Sequence, residues 1–400
     1  MNKYNIEASI LPNYFLKEDG TFNLNDALLF CGKIAGICYD KDGYEHLKDE
    51  DEAKTLKRVN MTLENGHHSV YSHVDINFYF KGLPKILAMV LNNEKEYATS
   101  EKSARYTPIV KDDSSVITSK EESLYNEWMD ILKDKIKMKY KDVFTDTKIK
   151  KLAQENARYM VTVFMPTEMV YTTSLRQINY IASWMLKYIK SANLYDEFEG
   201  NLAFAMRDFI LKLESLNVLD ERLMRNEKDR SLSLFGHDLD KRETYFGDVY
   251  SANYEASLAY LAQAQRHRTI DYKMEFLDND KYFVPPILED DKTLVNKWES
   301  DIDSVRNITP QGLLVRVNEM NSYDKFILKC KERLCSSAQL EIANKTKDIL
   351  DMYQESLEEK DHYLEDDIVK YSHGARCTFP DYKCTNDCKF AEGKRLVRKI

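Results

Sequence analysis

An α+β fold assembled from two tandem units is what this sequence predicts, on three observations. Apolar residues recur at helical spacing, most clearly in Ile178, Ile181, Ala182, Met185, Leu186 and Ile189. One run, Val74-Asp75-Ile76-Asn77-Phe78-Tyr79-Phe80, alternates apolar and polar residues as a half-buried strand does. The third is an internal echo. Arg158 precedes Ser174 by sixteen residues, Arg306 precedes Ser322 by the same interval, and each serine opens a helical stripe.

Taken in order, residues 25–39 form the first helical stripe, through Ala27, Leu28, Phe30, Cys31, Ile34, Ala35 and Cys38, capped by Asn23 or Asn25. Alternation extended back from the strand would put His67 and His73 on one face and His68 on the other, which argues against a shared three-histidine metal site. Gly82 is expected to end the strand, and Pro84 to sit in the first turn of a helix through Leu91. The polar stretch 226–242, with Gly236, reads as the link between halves. Leu258 to Gln265 reads as a helix running into Arg266, and Phe283-Val284-Pro285-Pro286 as a loop. A long helix is expected from Ser322 to Leu350, broken near Ser336-Ser337. The expected division is a first unit over 1–225, a second over 226–370, and a basic, cysteine-bearing tail over 371–400.

With 400 residues, 43% of them hydrophobic, the chain can bury a substantial core. It has no run of about 18 uncharged apolar residues, so no membrane span is expected. Nor does the start, Met1-Asn2-Lys3-Tyr4-Asn5, look like a signal peptide. A net charge of -9 argues against a nucleic-acid partner, although a few converging arginines can still hold a small anion. Seven cysteines, an odd number at irregular spacing, fit reduced thiols in the cytoplasm.

Two segments concentrate the chemistry. The first runs from Asn93-Glu94-Lys95 through Glu101-Lys102-Ser103-Ala104-Arg105-Tyr106. The second is Arg266-His267-Arg268-Thr269-Ile270-Asp271-Tyr272. Three adjacent donors repel one another unless an anion or carboxylates neutralise them. The bland alternative is a surface cluster paired with Asp271 or Glu275. Likewise, Ser103 and Arg105 alone read as an ordinary solvated loop. Together the segments resemble the signature RHRxxSxNExSxRY of the flavin-dependent thymidylate synthases, split so that each half keeps what the other has lost. Further likenesses are Gly66-His67-His68-Ser69 to a GHxS segment, Ser174-Leu175-Arg176 to an NLR element, and Arg333 through Ile342 to RxxxxAQxEI. Ser72, Ala104, Ser174 and Asp271 depart from the family pattern.

The resemblance implies two such units with helices packed on a mostly antiparallel sheet. It implies FAD held by Arg266, His267 and Arg268, with His67, Ser174 and Arg176. A pyrimidine nucleotide would be held by Gln263, Glu101, Ser103, Ala104, Arg105, Arg158 and Arg333, with Ser103 and Arg158 at the reacting ring. The implied reaction is reductive methylation of dUMP, with carbon from methylenetetrahydrofolate and reducing power from NADPH. Two alternatives remain: an inactive nucleotide- or flavin-binding homologue, or an enzyme acting on another pyrimidine nucleotide. The family builds its sites between subunits of a homotetramer, so a homodimer of this chain would imitate that assembly. Independently, His373, Cys377, Cys384 and Cys388 offer four soft ligands for a structural zinc, or else are free thiols in the tail.

Overall fold

The computed structural model describes residues 3–103, 116–225, 230–384, 388 and 398–400. The chain forms two compact units, Met1–Lys102 with Pro166–Ser233, and Ser103–Met165 with Leu234–Ile400. Segment 103–165 lies before the expected boundary in sequence, yet it packs within the second unit.

The chain begins with strand β1 (Glu7–Ile10) and helix α1 (Leu24–Gly36), whose cap is Asn23: its side chain accepts from Asp26 N. Short α2 (Tyr44–Leu47) and α3 (Glu52–Glu64) follow. Residues His68–His73 then wind into a 3-10 turn rather than a strand, correcting the expected alternation. Tight winding turns His68 inward, where its ring nitrogens meet Tyr180 Oη and Leu63 O, both at 3.0 Å, and leaves His67 exposed.

Strand β2 (Asp75–Pro84) runs past Gly82 instead of ending there, through a bulge between Phe80 and Leu83. Gly82 has φ +67°, and a Cβ there would stand 2.3 Å from Asn5 O, so only glycine fits. Pro84 is accordingly the residue before α4 (Lys85–Leu91), not part of its first turn. Next come β3 (Ala98–Glu101), the hairpin α5 (Ser119–Tyr140) and α6 (Asp146–Ala157), β4 (Pro166–Ser174), α7 (Leu175–Ser191), α8 (Glu197–Ser215) and α9 (Glu221–Met224). The first unit's sheet has the order β1-β2-β4-β3 with antiparallel pairing throughout. Phe78 stacks on Phe80, and Phe80 meets Phe209 of α8.

The second unit continues with β5 (Val249–Ser257), α10 (Leu258–Ala264), β6 (Asp271–Phe276), α11 (Lys292–Asp303) and β7 (Leu314–Ser322). Then α12 (Tyr323–Arg333), α13 (Leu340–Glu359) and α14 (Glu365–Ile368) follow. The expected break near Ser336 is thus a whole loop between α12 and α13. Its sheet is again antiparallel, in the order β5-β7-β6. Trp128 of α5 meets Trp298 of α11 edge-on at 4.8 Å, each indole N–H donating to a partly buried oxygen, Asp301 Oδ2 and Phe283 O.

One order of elements occurs twice: strand, short helix, strand, helical segment, strand, helix. In both passes the last strand pairs with the two before it, and its final serine faces the first residue of a partner, Ser174 opposite Asp75 and Ser322 opposite Val249. Arg158 and Arg306 each open a 3-10 turn, Arg158–Met160 and Arg306–Ile308. The stretches after these turns meet within the second unit. Val163 N donates to Thr309 O and Gln311 N to Val161 O, both at 2.9 Å, around an antiparallel bridge from Thr162 to Pro310. Thr162 and Pro310 each lie four residues past their arginine, so equivalent positions face each other and the bonds are reciprocal.

Among the described residues, no helix is long and apolar enough to cross a membrane.

Candidate active site

The two segments that share the triplet pattern occupy the same place in the two passes of that element order. In the second unit α10 ends at Ala264, Arg266–Arg268 turn, and β6 starts at Asp271. In the first unit α4 ends at Leu91, Asn93–Lys95 turn, and β3 starts at Ala98. Both turns hide their middle residue: His267 is 5% exposed and Glu94 0%. Arg266 and Arg268 are exposed on either side of His267.

Burial, first, and the cations of Arg333 and Lys329, second, hold the His267 ring well below its ordinary pKa, so it is neutral. Its Nε2 accepts from Arg333 Nε at 2.5 Å. The last turn of α12 therefore aims its arginine by an uncharged acceptor that leaves the guanidinium charge intact. One turn earlier, Lys329 lies fully buried against Glu319 of β7 at 2.6 Å, and Glu319 also accepts from Tyr250 and Tyr254. Lone buried charges would be costly; paired and hydrogen-bonded, they fix this helix face against the sheet.

In the first unit Glu94 takes over the inward position. Its carboxylate meets Arg230 at 2.5 Å and Ser233 N at 2.6 Å, and the Arg230 guanidinium lies 3.5 Å from the centre of the Trp184 ring. This turn is filled by the protein's own ion pair.

Arg158, though early in sequence, is buried in the second unit, and its Nη2 donates to Gln339 Oε1 at 2.6 Å. Neighbouring Tyr159 donates to Glu341 at 2.9 Å, and Glu341 also accepts from Ser257 N and Ser257 Oγ at 2.8 and 2.6 Å. Burial raises the Glu341 carboxyl above its usual range, against the opposing pull of these Ser257 and Tyr159 donors. Gln339 and Glu341, the AQxEI residues, thus hold Arg158 and the start of α10. Their roles were invisible in sequence, because Arg158 and Tyr159 lie some 180 residues away and Ser257 lies 84 away.

Gln263 on α10 is buried, and its Oε1 has no hydrogen-bond partner among the described residues. Leaving such an oxygen unsatisfied costs about 1–3 kcal/mol, which a bound donor would offset. Arg176, at the start of α7 in the first unit, likewise has a buried Nε without a partner among the described residues, and its guanidinium stands 5.8 Å from the Tyr180 ring centre. Arg266 and Arg268 are exposed cations, of the kind that pair with anions.

Other expected site residues have structural roles. Ser174 caps α7, accepting from Gln177 N at 3.2 Å. Glu101 pairs with Lys85 at 2.5 Å and is almost fully buried. Ser103 is half-buried, whereas Ala104 and Arg105 lie outside the described residues. In the tail, His373 and Cys384 are exposed and Cys377 and Cys388 half-buried. Among the described residues, the metal-ligand atoms that gather within 4.8 Å of one another are instead those of Asp40, Asp42 and His46. His46 of α2 bonds Asp40 at 2.7 Å.

Residues 23–187 match the model of the thymidylate synthase complementing protein family. A flavin-dependent thymidylate synthase of Thermococcus onnurineus (strain NA1) is 23% identical over 148 residues, covering 36% of this chain and 57% of that protein. One from Clostridium tetani (strain Massachusetts / E88) is 26% identical over 158 residues, covering 36% of this chain and 64% of the relative. The chain therefore spans less than two thirds of the length of these curated relatives. The crystal structure of a UMP/dUMP methylase PolB from Streptomyces cacaoi bound with 5-Br dUMP aligns over 45% of this chain and 78% of that one. Its 16% identity and TM-score of 0.31 are too slight to carry an argument. Gln263, Arg266–Arg268 and Arg333 lie beyond the matched segment, whereas His67, Arg158 and Arg176 lie within it. Through residues 23–187 the chain is similar to the flavin-dependent thymidylate synthases.

Proposed function

We propose that this chain is a cytoplasmic enzyme that methylates carbon 5 of dUMP, using methylenetetrahydrofolate and NADPH, and that it arose by tandem duplication of one family unit. The buried, unpartnered Oε1 of Gln263 carries this reading. It sits on the element that leads into the arginine-flanked His267, in the unit that also contains Arg158 and Arg333.

Arg266 and Arg268 would hold FAD through its phosphates. Bound FAD, once reduced, supplies the hydride for the methylation. Gln263 accepts a hydrogen bond from the pyrimidine, while Arg333 and the Ser103–Arg105 loop hold the nucleotide phosphate. Arg158, oriented in advance by Gln339, polarises the uracil carbonyl and stabilises charge building on the ring. Neutral His267 keeps Arg333 aimed without adding a second cation. A homodimer is the proposed working assembly.

Purified protein should show the visible absorbance of oxidised flavin. Arg266→Ala and Arg268→Ala should release it, each losing a charge-assisted contact worth on the order of 1.5–3 kcal/mol. Lys95→Ala, in the turn filled by Glu94, should retain it. Equal flavin loss in all three variants would sink the reading.

A further inference from the structure

We propose that Arg398 is a positioning residue of the nucleotide site: it clamps the carbonyl of Ala338 and so holds the neighbouring Gln339 against Arg158. The proposal rests on the reading of Arg158 as the group that meets the pyrimidine ring. It adds a residue far outside the segment that matches the family, residues 23–187.

The need for a clamp arises at the start of α13. Gln339 opens this helix, yet its side chain makes no capping bond to it. Residues that cap well are Ser, Thr, Asp, Asn and Gly, whose side chains or backbone suit the free N–H groups of a first turn. The Gln339 amide is committed elsewhere: Oε1 accepts from Arg158 Nη2 at 2.6 Å, and Nε2 donates to Tyr159 Oη. A helix start that lacks its own cap opens readily unless something else holds it. Ala338 and Gln339 are both buried, so the hold has to come from the protein.

Residues 398–400 supply it. The buried Arg398 side chain donates through Nη2 to Ala338 O and through Nη1 to Ile400 O at 2.8 Å. Its guanidinium is always charged, and a charge-assisted bond to a buried carbonyl is stronger than a neutral one. The segment is itself docked. Lys399 N donates to Tyr140 Oη of α5 at 3.0 Å, and Lys399 Nζ pairs with Glu289 and Asp290 at 3.3 and 3.2 Å. Ile400 is buried in the core cluster that includes Trp128, Leu132 and Ile136. Arg398 therefore reaches Ala338 from a fixed base and has little freedom to lose.

The clamp and the side chain it steadies share one rigid peptide plane, because the carbonyl carbon of Ala338 is bonded to the nitrogen of Gln339. Released from Arg398, that plane can turn and carry Gln339 away from Arg158. A shift of about 1 Å in a positioning group can cost on the order of a hundredfold in rate.

Two measurements on the full chain decide the matter. Amide hydrogen exchange without nucleotide reads the clamp itself. Arg398→Ala should speed exchange in the first turn of α13, whereas Arg398→Lys, which keeps a charged donor, should do so much less. Unchanged exchange in Arg398→Ala would overturn the clamp, whether or not the protein acts on dUMP. Turnover of dUMP per bound flavin reads the consequence. Arg398→Ala should lower kcat by about tenfold or more with little change in KM, and Arg398→Lys should restore most of it. In a chain that already carries Gln339→Leu, Arg398→Ala should add nothing further, because the route through Gln339 is gone. Additive losses, or a wild-type rate in Arg398→Ala, would overturn the positioning role. A wild type that neither binds nor turns over dUMP would instead sink the functional reading, and the positioning role with it, while exchange still reports the clamp.

Discussion

His267 and Glu94 stand at matching places in the two passes of one element order, yet one is a buried neutral ring and the other a buried carboxylate paired with Arg230. His267 is kept neutral by burial and by the cations of Arg333 and Lys329. The unfolded ring takes up a proton near its ordinary value of 6.5, whereas the folded ring resists until the pH is lower. The stability that His267 allows is therefore complete above pH 6.5 and declines as pH falls below it. Thermal melts should fall with acidification over that range, and His267→Gln should flatten the slope; an unchanged slope would remove His267 from the account. Glu94 poses the opposite case, a buried carboxylate with one arginine. Arg230→Ala strands that charge and should cost about 3–5 kcal/mol in urea unfolding, while Glu94→Gln should cost much less. Sequence showed both triplets and their complementary losses. It did not show that the middle residue of each turns inward, nor that Arg230 from far along the chain fills one of them.

At the level of elements, sequence located α1, β2, α4, α7, α10, α12 and α13, because their patterns are local. The cap at Asn23, the Leu258 helix and the break after α12 all follow from residues within a turn or two. What it missed depends on distant partners. Gly82 is forced by Asn5, and the turn at His68–His73 by Tyr180 and Leu63. The start of α10 belongs to this second class: Ser257 caps the helix, yet Glu341 holds both its N–H and its hydroxyl. Glu341→Ala would leave Ser257 N and the Tyr159 hydroxyl proton without an acceptor and should cost about 3 kcal/mol or more. It should also loosen Gln263 and so weaken dUMP binding by calorimetry. Ser257→Ala removes mainly the cap and should cost about 1 kcal/mol. If the two variants prove equal in stability, Glu341 is not the anchor described.

For the whole molecule, repetition in sequence and compactness in space divide the chain differently. Segment 103–165 is early in sequence but packs with the late half, which brings Arg158 into one unit with Gln339, Gln263 and Arg333. Sequence could not show this, since periodicity says nothing about which unit a hairpin joins. The fill at Glu94 leads to a stoichiometry: each chain should bind one FAD, not two, by absorbance against protein concentration. Two per chain would mean the Glu94 turn still accepts flavin.

The reciprocal bonds of residues 161–163 with 309–311 have a consequence for how such a chain can change. Where two identical subunits meet about an axis, every mutation appears twice and must suit both sides at once. On the proposed duplication, one gene now encodes the two sides separately. The contact has already used that freedom: Thr162 donates its hydroxyl to Ile308 O at 2.6 Å, while Pro310 opposite has neither hydroxyl nor N–H to return the bond. Each further unlike substitution makes the two sides less interchangeable, and a lone descendant of either half would no longer find its match in a copy of itself. Division of labour between halves, begun as a tolerated asymmetry, becomes in this way a one-way inheritance.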